Sequence, residues 1–308
     1  MPELIFKGKE FVYNHHLAVP FRPLVPHAKK SVGKPQLDGN LIIHGDNLHA
    51  LKALLPMYAG KVDCVFIDPP YNTGNEGWCY NDNVNSPMLR EWLSNNPVSI
   101  DDGLRHDKWL AMMWPRLRLL KELLHEDGLL FISINEIESS HLQQILEEIF
   151  GEGALLGRFI WKSRQNKDNR NVSGLSEDHE YILIVGKQVA GEERITEAFD
   201  NPDNDPRGAW SSGNMVGLAS AEDRPNLHFD LVDPKTHINY GCPPRGWRYE
   251  KPTMDRLISE DRILWPPQPT GRPREKVFLQ YMSPRTNVSS VIPLPIFTRD
   301  GTEAFEQI

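Results

Sequence analysis

Cysteine is scarce in this chain of 308 residues: Cys64, Cys79 and Cys242 stand far apart. They are odd in number and make no Cys-x-x-Cys, and no His-x-x-x-His spacing accompanies them, so neither a disulfide framework nor a zinc-type site is expected. No apolar run approaches the ~20 residues that span a bilayer. The N-terminus, Met1-Pro2-Glu3-Leu4-Ile5, lacks a basic segment followed by an apolar core, so the expected compartment is the cytoplasm. Repeats and low-complexity tracts are missing too. Basic charge is in deficit, with 34 Lys and Arg against 42 Asp and Glu and a formal net charge of −8, a sum that speaks against a polyanionic partner.

What is present changes that picture. From Arg158 to Arg170 the chain carries Arg158, Lys162, Arg164, Lys167 and Arg170 against the single acid Asp168, whereas Glu136 to Glu152 carries five acids and no Lys or Arg. A charge sum hides this separation, and phosphate contacts depend on the local field. Hydrophobic residues at 39% and charged residues at 25% are ordinary for a folded protein, and 25 prolines with 22 glycines predict many loops.

Residues 1 to about 38 mix proline with lysine without a period and read as an irregular N-terminal arm. Leu41-Ile42-Ile43 reads as a short strand. Asp46 and Asn47 can cap a helix carrying Leu48, Leu51, Leu54 and Leu55 on one face, ended by Gly60. Val62 to Ile67 reads as a buried strand stopped by Asp68-Pro69-Pro70. The stretch from Asn72 to Asp102 is too long for a simple connection and reads as a functional loop or lid. Trp109 to Leu124 has helical spacing, Gly128 breaks it, Leu129 to Ile134 is the next strand and Ser139 to Phe150 the next helix. Residues 41 to 150 thus alternate strand and helix, the pattern of a parallel sheet with covering helices. Phe159-Ile160-Trp161 and Tyr181 to Val185 read as two further strands. Near residue 190 the pattern degrades into short aromatic and proline-bearing pieces.

The strongest local signal is Asp68-Pro69-Pro70-Tyr71 directly after an apolar strand, because ligands of open α/β sheets bind beyond the carboxyl ends of strands. A strand-terminating turn is the competing reading. Context decides between them. The run Leu41-Ile42-Ile43-His44-Gly45-Asp46-Asn47-Leu48, followed by Lys61 through Asp68-Pro69-Pro70-Tyr71-Asn72-Thr73-Gly74-Asn75-Glu76-Gly77, resembles the catalytic region of β-order adenine-specific DNA methyltransferases, in particular the Mod subunits of type III restriction–modification systems. The resemblance continues through Tyr80-Asn81-Asp82, the Trp109 helix, Gly128 to Asn135 and His179-Glu180-Tyr181-Ile182-Leu183. It covers roughly two thirds of the chain.

The resemblance implies a Rossmann-like S-adenosylmethionine-dependent methyltransferase sheet in the α/β class, partial here, with a smaller irregular target-recognition region. The implied divisions are an arm at 1–38, a catalytic region at 39–190, a target-recognition region at 191–290 and, at 291–308, the start of a C-terminal cofactor-binding part. Asp68, Pro69, Pro70 and Tyr71 match the family's catalytic loop, and Asp46 matches an acid near the cofactor, with Asp68 facing both cofactor and base. As a residue type at this place, Asp46 is equally suited to be a plain helix cap. The amine of a base is a poor nucleophile, since its lone pair is delocalised into the ring. The Asp68 carboxylate and Pro69 carbonyl would draw density back onto nitrogen by accepting from its two N–H bonds, and Pro70 restricts the residue before it. Tyr71 would stack on a base flipped from the duplex.

The resemblance also implies N6 of adenine over N4 of cytosine, because the family's cytosine-N4 enzymes more often have Ser where Asp68 stands. DNA contacts are expected from Arg158, Lys162, Arg164, Lys167 and Arg170, with Arg245, Trp247, Arg248, Arg272, Arg274 and Lys276 as further candidates. Expected partners are double-stranded DNA, a restriction subunit and a second copy of the chain. His179-Glu180-Tyr181 reads either as a DNA-positioning element or, for His179 and Glu180, as a local hydrogen-bonded pair, and the Trp109 stripe as core. The family's Phe-x-Gly-x-Gly cofactor loop does not occur, and the chain stops at Phe305-Glu306-Gln307-Ile308 in what reads as a helix start. The expectation is therefore a truncated product whose sheet leaves apolar surface on its open side and whose grip on S-adenosylmethionine is poor. Two rivals stay open: a non-catalytic DNA-binding module and an RNA base-amine methyltransferase.

Overall fold

A computed structural model describes residues 3–33, 36–73, 103–167 and 174–306. The chain divides into two compact units, residues 1–190 with 289–308, and residues 191–288.

In the first unit, helix α1 (Lys9–Val12) and helix α2 (His15–Ala18) are single turns, followed by α3 (Asn47–Tyr58) and strand β1 (Val62–Ile67). Then come α4 (Arg105–Leu123), β2 (Leu124–Ile134), α5 (Glu136–Phe150), β3 (Leu155–Trp161) and β4 (Glu180–Val185). Asp46 has the extended backbone of a cap, and its Oδ1 accepts the Leu48 N–H at 2.8 Å. Gly60 follows the helix at φ 65°, a left-handed conformation that costs glycine nothing.

The sheet has the order β1-β2-β4-β3. β1 runs parallel to β2, with Phe66 opposite Phe131 and Ile67 opposite Ile132. The register slips between Val62 and Cys64, and Gly128 lies at that irregularity. A Cβ there would stand 2.7 Å from the Val62 carbonyl oxygen, so the two strands approach too closely for any side chain. β4 runs antiparallel to both β2 and β3. The parallel pairing expected within residues 41–150 is present as β1–β2, and the two later strands join the sheet antiparallel because the chain enters β4 from the opposite end.

Two further expectations give way. Leu41-Ile42-Ile43 forms no strand and leaves Ile42 fully exposed, since among the described residues no neighbour pairs with it and a lone strand has no ladder. Among the described residues Val62–Ile67 is an edge strand, not a buried one, with Phe66 61% exposed and Cys64 exposed as a free thiol.

The core lies between the sheet and α4 with α5. Trp109, Met113 and Leu117 from α4, Leu130, Ile132 and Ile134 from β2, and Leu142, Ile145 and Ile149 from α5 are all buried together. Burying each such side chain contributes about 1.5–3 kcal/mol, so the periodic apolar faces of the two helices account for the unit's cohesion.

The N-terminal segment is more ordered than its composition predicts. Phe6 and Val12 enter the core, and buried Lys9 reaches Glu148 at 2.7 Å and Glu3 at 3.0 Å. Burial opposes the charge on Lys9, but its hydrogen bonds to Glu148 and Glu3 outweigh that and raise its pKa. Residues 289–306 run beside β3, where the Ile292 N–H donates to the Ile160 carbonyl at 3.0 Å and the Trp161 indole donates to the Ile296 carbonyl at 2.7 Å. They end in α7 (Thr298–Glu306).

The second unit holds β5 (Glu192–Glu193), β6 (Trp210–Gly213), α6 (Lys251–Ser259), β7 (Ile263–Leu264), β8 (Arg274–Phe278) and β9 (Arg285–Thr286). β6, β8 and β7 form an antiparallel sheet in that order, and β5 pairs with β9. Its core gathers Met215, Leu231, Trp247, Met254, Leu257 and Ile263.

Candidate active site

β1 ends at Ile67, and the next four residues form the loop Asp68-Pro69-Pro70-Tyr71 at its carboxyl end. Asp68 is exposed, and its Oδ1 accepts a 2.5 Å hydrogen bond from the Ser133 hydroxyl on β2. Ser133 is 7% exposed, and its hydroxyl also stands 3.3 Å from the Ile67 carbonyl, so one buried hydroxyl fixes one carboxylate oxygen. The Pro70 carbonyl accepts from the Trp109 indole N–H at 2.6 Å. No hydrogen bond to the Pro69 carbonyl is found among the described residues. The parallel pairing of β1 with β2 and the packing of α4 therefore hold the loop on two sides and leave the Asp68 carboxylate facing solvent.

Tyr71 is half-buried against the core, and its hydroxyl donates to Glu180 Oε2 on β4 at 3.1 Å. Burial raises the phenol pKa, the nearby Ser133 hydroxyl lowers it, and the negative charges of Glu180 and Asp68 raise it again; the net shift is upward. Tyr71 thus stays neutral and keeps its proton for Glu180. Asn72 follows in the left-handed region at φ 61°, a conformation that asparagine tolerates better than most residues, and is fully buried.

At the other end of α3, Asp46 is exposed and uses Oδ1 as the helix cap, with an Arg116 nitrogen 3.9 Å away. Arg158, Lys162, Arg164 and Lys167 are exposed, and the Arg158 guanidinium lies 5.1 Å from the Tyr181 ring centre. Arg170 falls outside the described residues, as do Gly74 to Gly77, Tyr80-Asn81-Asp82 and nearly all of the 72–102 stretch. In the second unit Arg245 and Arg248 are exposed. Trp247 and Lys276 are not available to a ligand: Trp247 is 1% exposed and donates to the Phe229 carbonyl at 2.8 Å, while Lys276, 6% exposed, is bound to Asp203 and Asp205. Both were candidate contacts by residue type, and burial removes them.

Residues 62–278 match the model of the N6/N4 DNA methylases. The chain belongs to the DNA methylase family. The Mod subunit of the type III restriction–modification enzyme EcoP15I from Escherichia coli is 31% identical over 73% of this chain and 42% of its own length. The EcoPI Mod subunit of Escherichia phage P1 is 32% identical over 75% of this chain and 38% of its own. The StyLTI Mod subunit of Salmonella typhimurium is 27% identical over 92% and 46%. The chain thus spans less than half the length of these relatives. Among solved structures, the M1.HpyAVI–SAM complex shares a TM-score of 0.29 and 19% identity over 53% of this chain and 59% of that one.

In this chain the sequence did not show how the loop is held: by Ser133, by Trp109 as a donor, by Glu180 as the Tyr71 acceptor and by Asn72. Asn72 and Glu180 lay in segments already singled out, and Ser133 left a signal as a hydroxyl inside the apolar run Leu129 to Ile134. His179 and Glu180 bond different partners: His179 Nε2 lies 3.1 Å from the Tyr181 hydroxyl, a local contact, whereas Glu180 accepts from Tyr71, 109 positions away. Two cavities, about 200 Å³ lined by Gln143, Leu155, Gly157, Arg158 and Leu183 and about 260 Å³ lined by Arg118, Lys121 and Glu122, do not include Asp46 or Asp68. Among the described residues no helix is long and apolar enough to cross a membrane.

Proposed function

We propose that this chain carries the catalytic loop of an S-adenosylmethionine-dependent DNA methyltransferase that modifies N6 of adenine, acting as the modification component of a restriction–modification system. The observation that carries the reading is the Asp68 carboxylate, held at the end of β1 by Ser133 and exposed beside a Pro69 carbonyl that accepts no hydrogen bond among the described residues. The family match to DNA methylases and the named Mod relatives support the substrate class.

The residues fit S-adenosylmethionine in donor chemistry. Asp46 and Asp68 each engage only one carboxylate oxygen among the described residues, so the second oxygen of each would accept from a ribose hydroxyl or an ammonium group. The apolar face of exposed Phe66 lies on the same strand as the loop. Bound S-adenosylmethionine supplies an electrophilic methyl group on a sulfonium.

Asp68 and the Pro69 carbonyl accept from the two N–H bonds of the target amine and hold its lone pair toward the incoming methyl. An amine that takes the methyl group, the sulfonium leaving as a neutral thioether, must lose one N–H proton, and the second oxygen of Asp68 would take it. The loop is fixed before substrate arrives, which spares reorganisation during the reaction. Tyr71, tethered at Glu180, offers a ring of set orientation to an extruded base. The exposed cations Arg158, Lys162, Arg164, Lys167, Arg245 and Arg248 suit phosphate contacts, with Arg170 lying outside the described residues. Double-stranded DNA is the proposed partner, and a restriction subunit and a second copy of the chain complete the assembly.

In the full-length enzyme, Asp68→Ala is expected to lower methyl transfer by about 100- to 1000-fold, as loss of one preorganised group does, while DNA affinity by gel shift changes only a few-fold. Undiminished transfer of radiolabelled methyl sinks the assignment. Nucleoside mass spectrometry is expected to find N6-methyladenine in the product DNA, and N4-methylcytosine alone overturns the choice of base.

A further inference from the structure

Below the loop lies a buried carboxylate that the reading above does not use. Glu138, in the first turn of α5, is fully buried. Its Oε1 accepts from the Asn72 side-chain amide and lies 2.6 Å from His106 Nδ1, and its Oε2 lies 2.8 Å from His141 Nδ1. The Asn72 amide nitrogen also donates to the Arg105 carbonyl at 3.2 Å. Both of these partners only accept, so the NH2 group of Asn72 must face them. The Arg105 Nε donates to His106 Nε2 at 3.3 Å, which places the proton of a neutral His106 ring on Nδ1, aimed at Glu138.

Unpaired, a buried carboxylate is costly, and a side chain satisfied on both oxygens by three donors does not move freely. Asn72 is the residue directly after Tyr71 and is itself fully buried at a positive φ. Fixing its amide therefore fixes where the loop leaves the sheet. The other restraint, Trp109 on Pro70, comes from α4, which also supplies His106. The loop is thus anchored at its end by Glu138 of α5 and in its middle by Trp109 of α4.

His106, Glu138 and His141 also have the donor atoms for a metal ion, all within 4.8 Å of one another. Two facts favour hydrogen bonds over an ion. Each Nδ1 already sits at hydrogen-bond distance from the carboxylate, and a guanidinium faces the far side of His106.

We propose that Glu138 is a positioning residue for methyl transfer: through the Asn72 amide it sets the stance of the Asp68–Tyr71 loop, with His106 and His141 holding its carboxylate. This rests on reading Asp68–Tyr71 as the catalytic loop. A displacement of about 1 Å costs on the order of 100-fold in rate.

The test measures kcat, and KM for unmethylated genomic DNA, in the full-length enzyme. Asn72→Ala and Glu138→Ala are each expected to lower kcat by roughly 10- to 100-fold with KM within threefold. Glu138→Gln, which keeps an acceptor for Asn72, is expected to recover most of the loss. The double variant Asn72→Ala/Glu138→Ala is expected to be no slower than the worse single one, because both break one contact. Asn72→Ala lies on a loop and keeps the test open if Glu138→Ala fails to fold. A kcat within twofold of wild type in Asn72→Ala, or losses that multiply in the double variant, overturns the inference while the Asp68 assignment stands. Zinc-dependent thermal stabilisation of the wild type that is lost in His141→Ala makes the cluster a metal site and overturns it too. Full activity of Asp68→Ala removes the loop assignment and this inference together.

Discussion

The two units hold themselves together by different means. The first hides a continuous apolar layer between α4, α5 and a sheet whose longest strand has 11 residues. In the second, the longest strand has five residues and the buried hydrophobic cluster is smaller. Ion pairs stand in for sheet: Lys276 lies among Asp203 and Asp205, Arg207 binds Asp205 at 2.7 Å, and Arg262 binds Glu275 at 2.6 Å. The Arg207 guanidinium holds the Asp205 carboxyl well below the usual carboxylate range. Apolar packing is written in periodic faces that a sequence displays, whereas an ion pair such as Lys276–Asp203, 73 positions apart, leaves no periodic trace.

The largest expected effects test whether the two cores are separate. Trp109→Ala and Trp247→Ala each empty a site at most 1% exposed, at about 4 kcal/mol for a buried tryptophan. Hydrogen exchange is expected to report lost protection in residues 103–167 for the first variant and in 191–288 for the second. Equal loss across the whole chain in either variant breaks the comparison.

Acid is expected to act on the first unit through His16. This residue is 2% exposed, and burial, then the charges of Arg118, Lys52 and His15, push its pKa down to about 4, with the Tyr13 backbone opposing. Glu122, 3.8 Å away and half-exposed, is too distant and too hydrated to reverse this. Above pH 6.5 the ring is neutral in both folded and unfolded chains. Between 6.5 and 4 only the unfolded chain takes the proton, so stability falls across that window by at most about 3 kcal/mol and levels off below it. Chemical denaturation at steps of pH, with His16→Gln as the control, reads this; a wild-type curve as flat as the control's removes the role of His16.

The smallest effects on stability concern exposed cations. Lys162→Ala/Lys167→Ala and Arg245→Ala/Arg248→Ala are each expected to change stability by less than about 0.5 kcal/mol per residue. The first pair is expected to flatten the log–log salt dependence of DNA binding by about 2, since each phosphate contact contributes about 0.9. The second pair is expected to flatten it less, because Arg245 is directed at the Leu218 carbonyl 3.4 Å away and Arg248 lies 5.9 Å from the Tyr249 ring centre. Equal slopes in both variants erase the distinction between the units as DNA contacts.

Much of the first unit is legible residue by residue. The α3 cap at Asp46, its end at Gly60, and the helices around Trp109 and Leu142 follow from caps and spacing, and each forms within a residue or a few of where the pattern places it. Leu41 to Ile43 shows the limit of that logic, since apolar residues make a strand only where a neighbour offers a ladder. Val62 to Ile67 shows it again, because composition marks a strand but not whether it stands inside a sheet or at its edge. In the second unit the sequence marked aromatic and arginine-bearing pieces without indicating that Trp247 and Lys276 turn inward.

By itself, the sequence determined an α/β chain with the loop Asp68-Pro69-Pro70-Tyr71 at a strand's end, because periodicity, caps and proline act locally and need no partner. Only the tertiary structure decided that β4 runs antiparallel, that β1 lies at an edge, and that Ser133, Trp109, Glu180 and Glu138 close on the loop. The reason is physical: a hydrogen bond between residues 39 to 109 positions apart exists only after packing has brought them together.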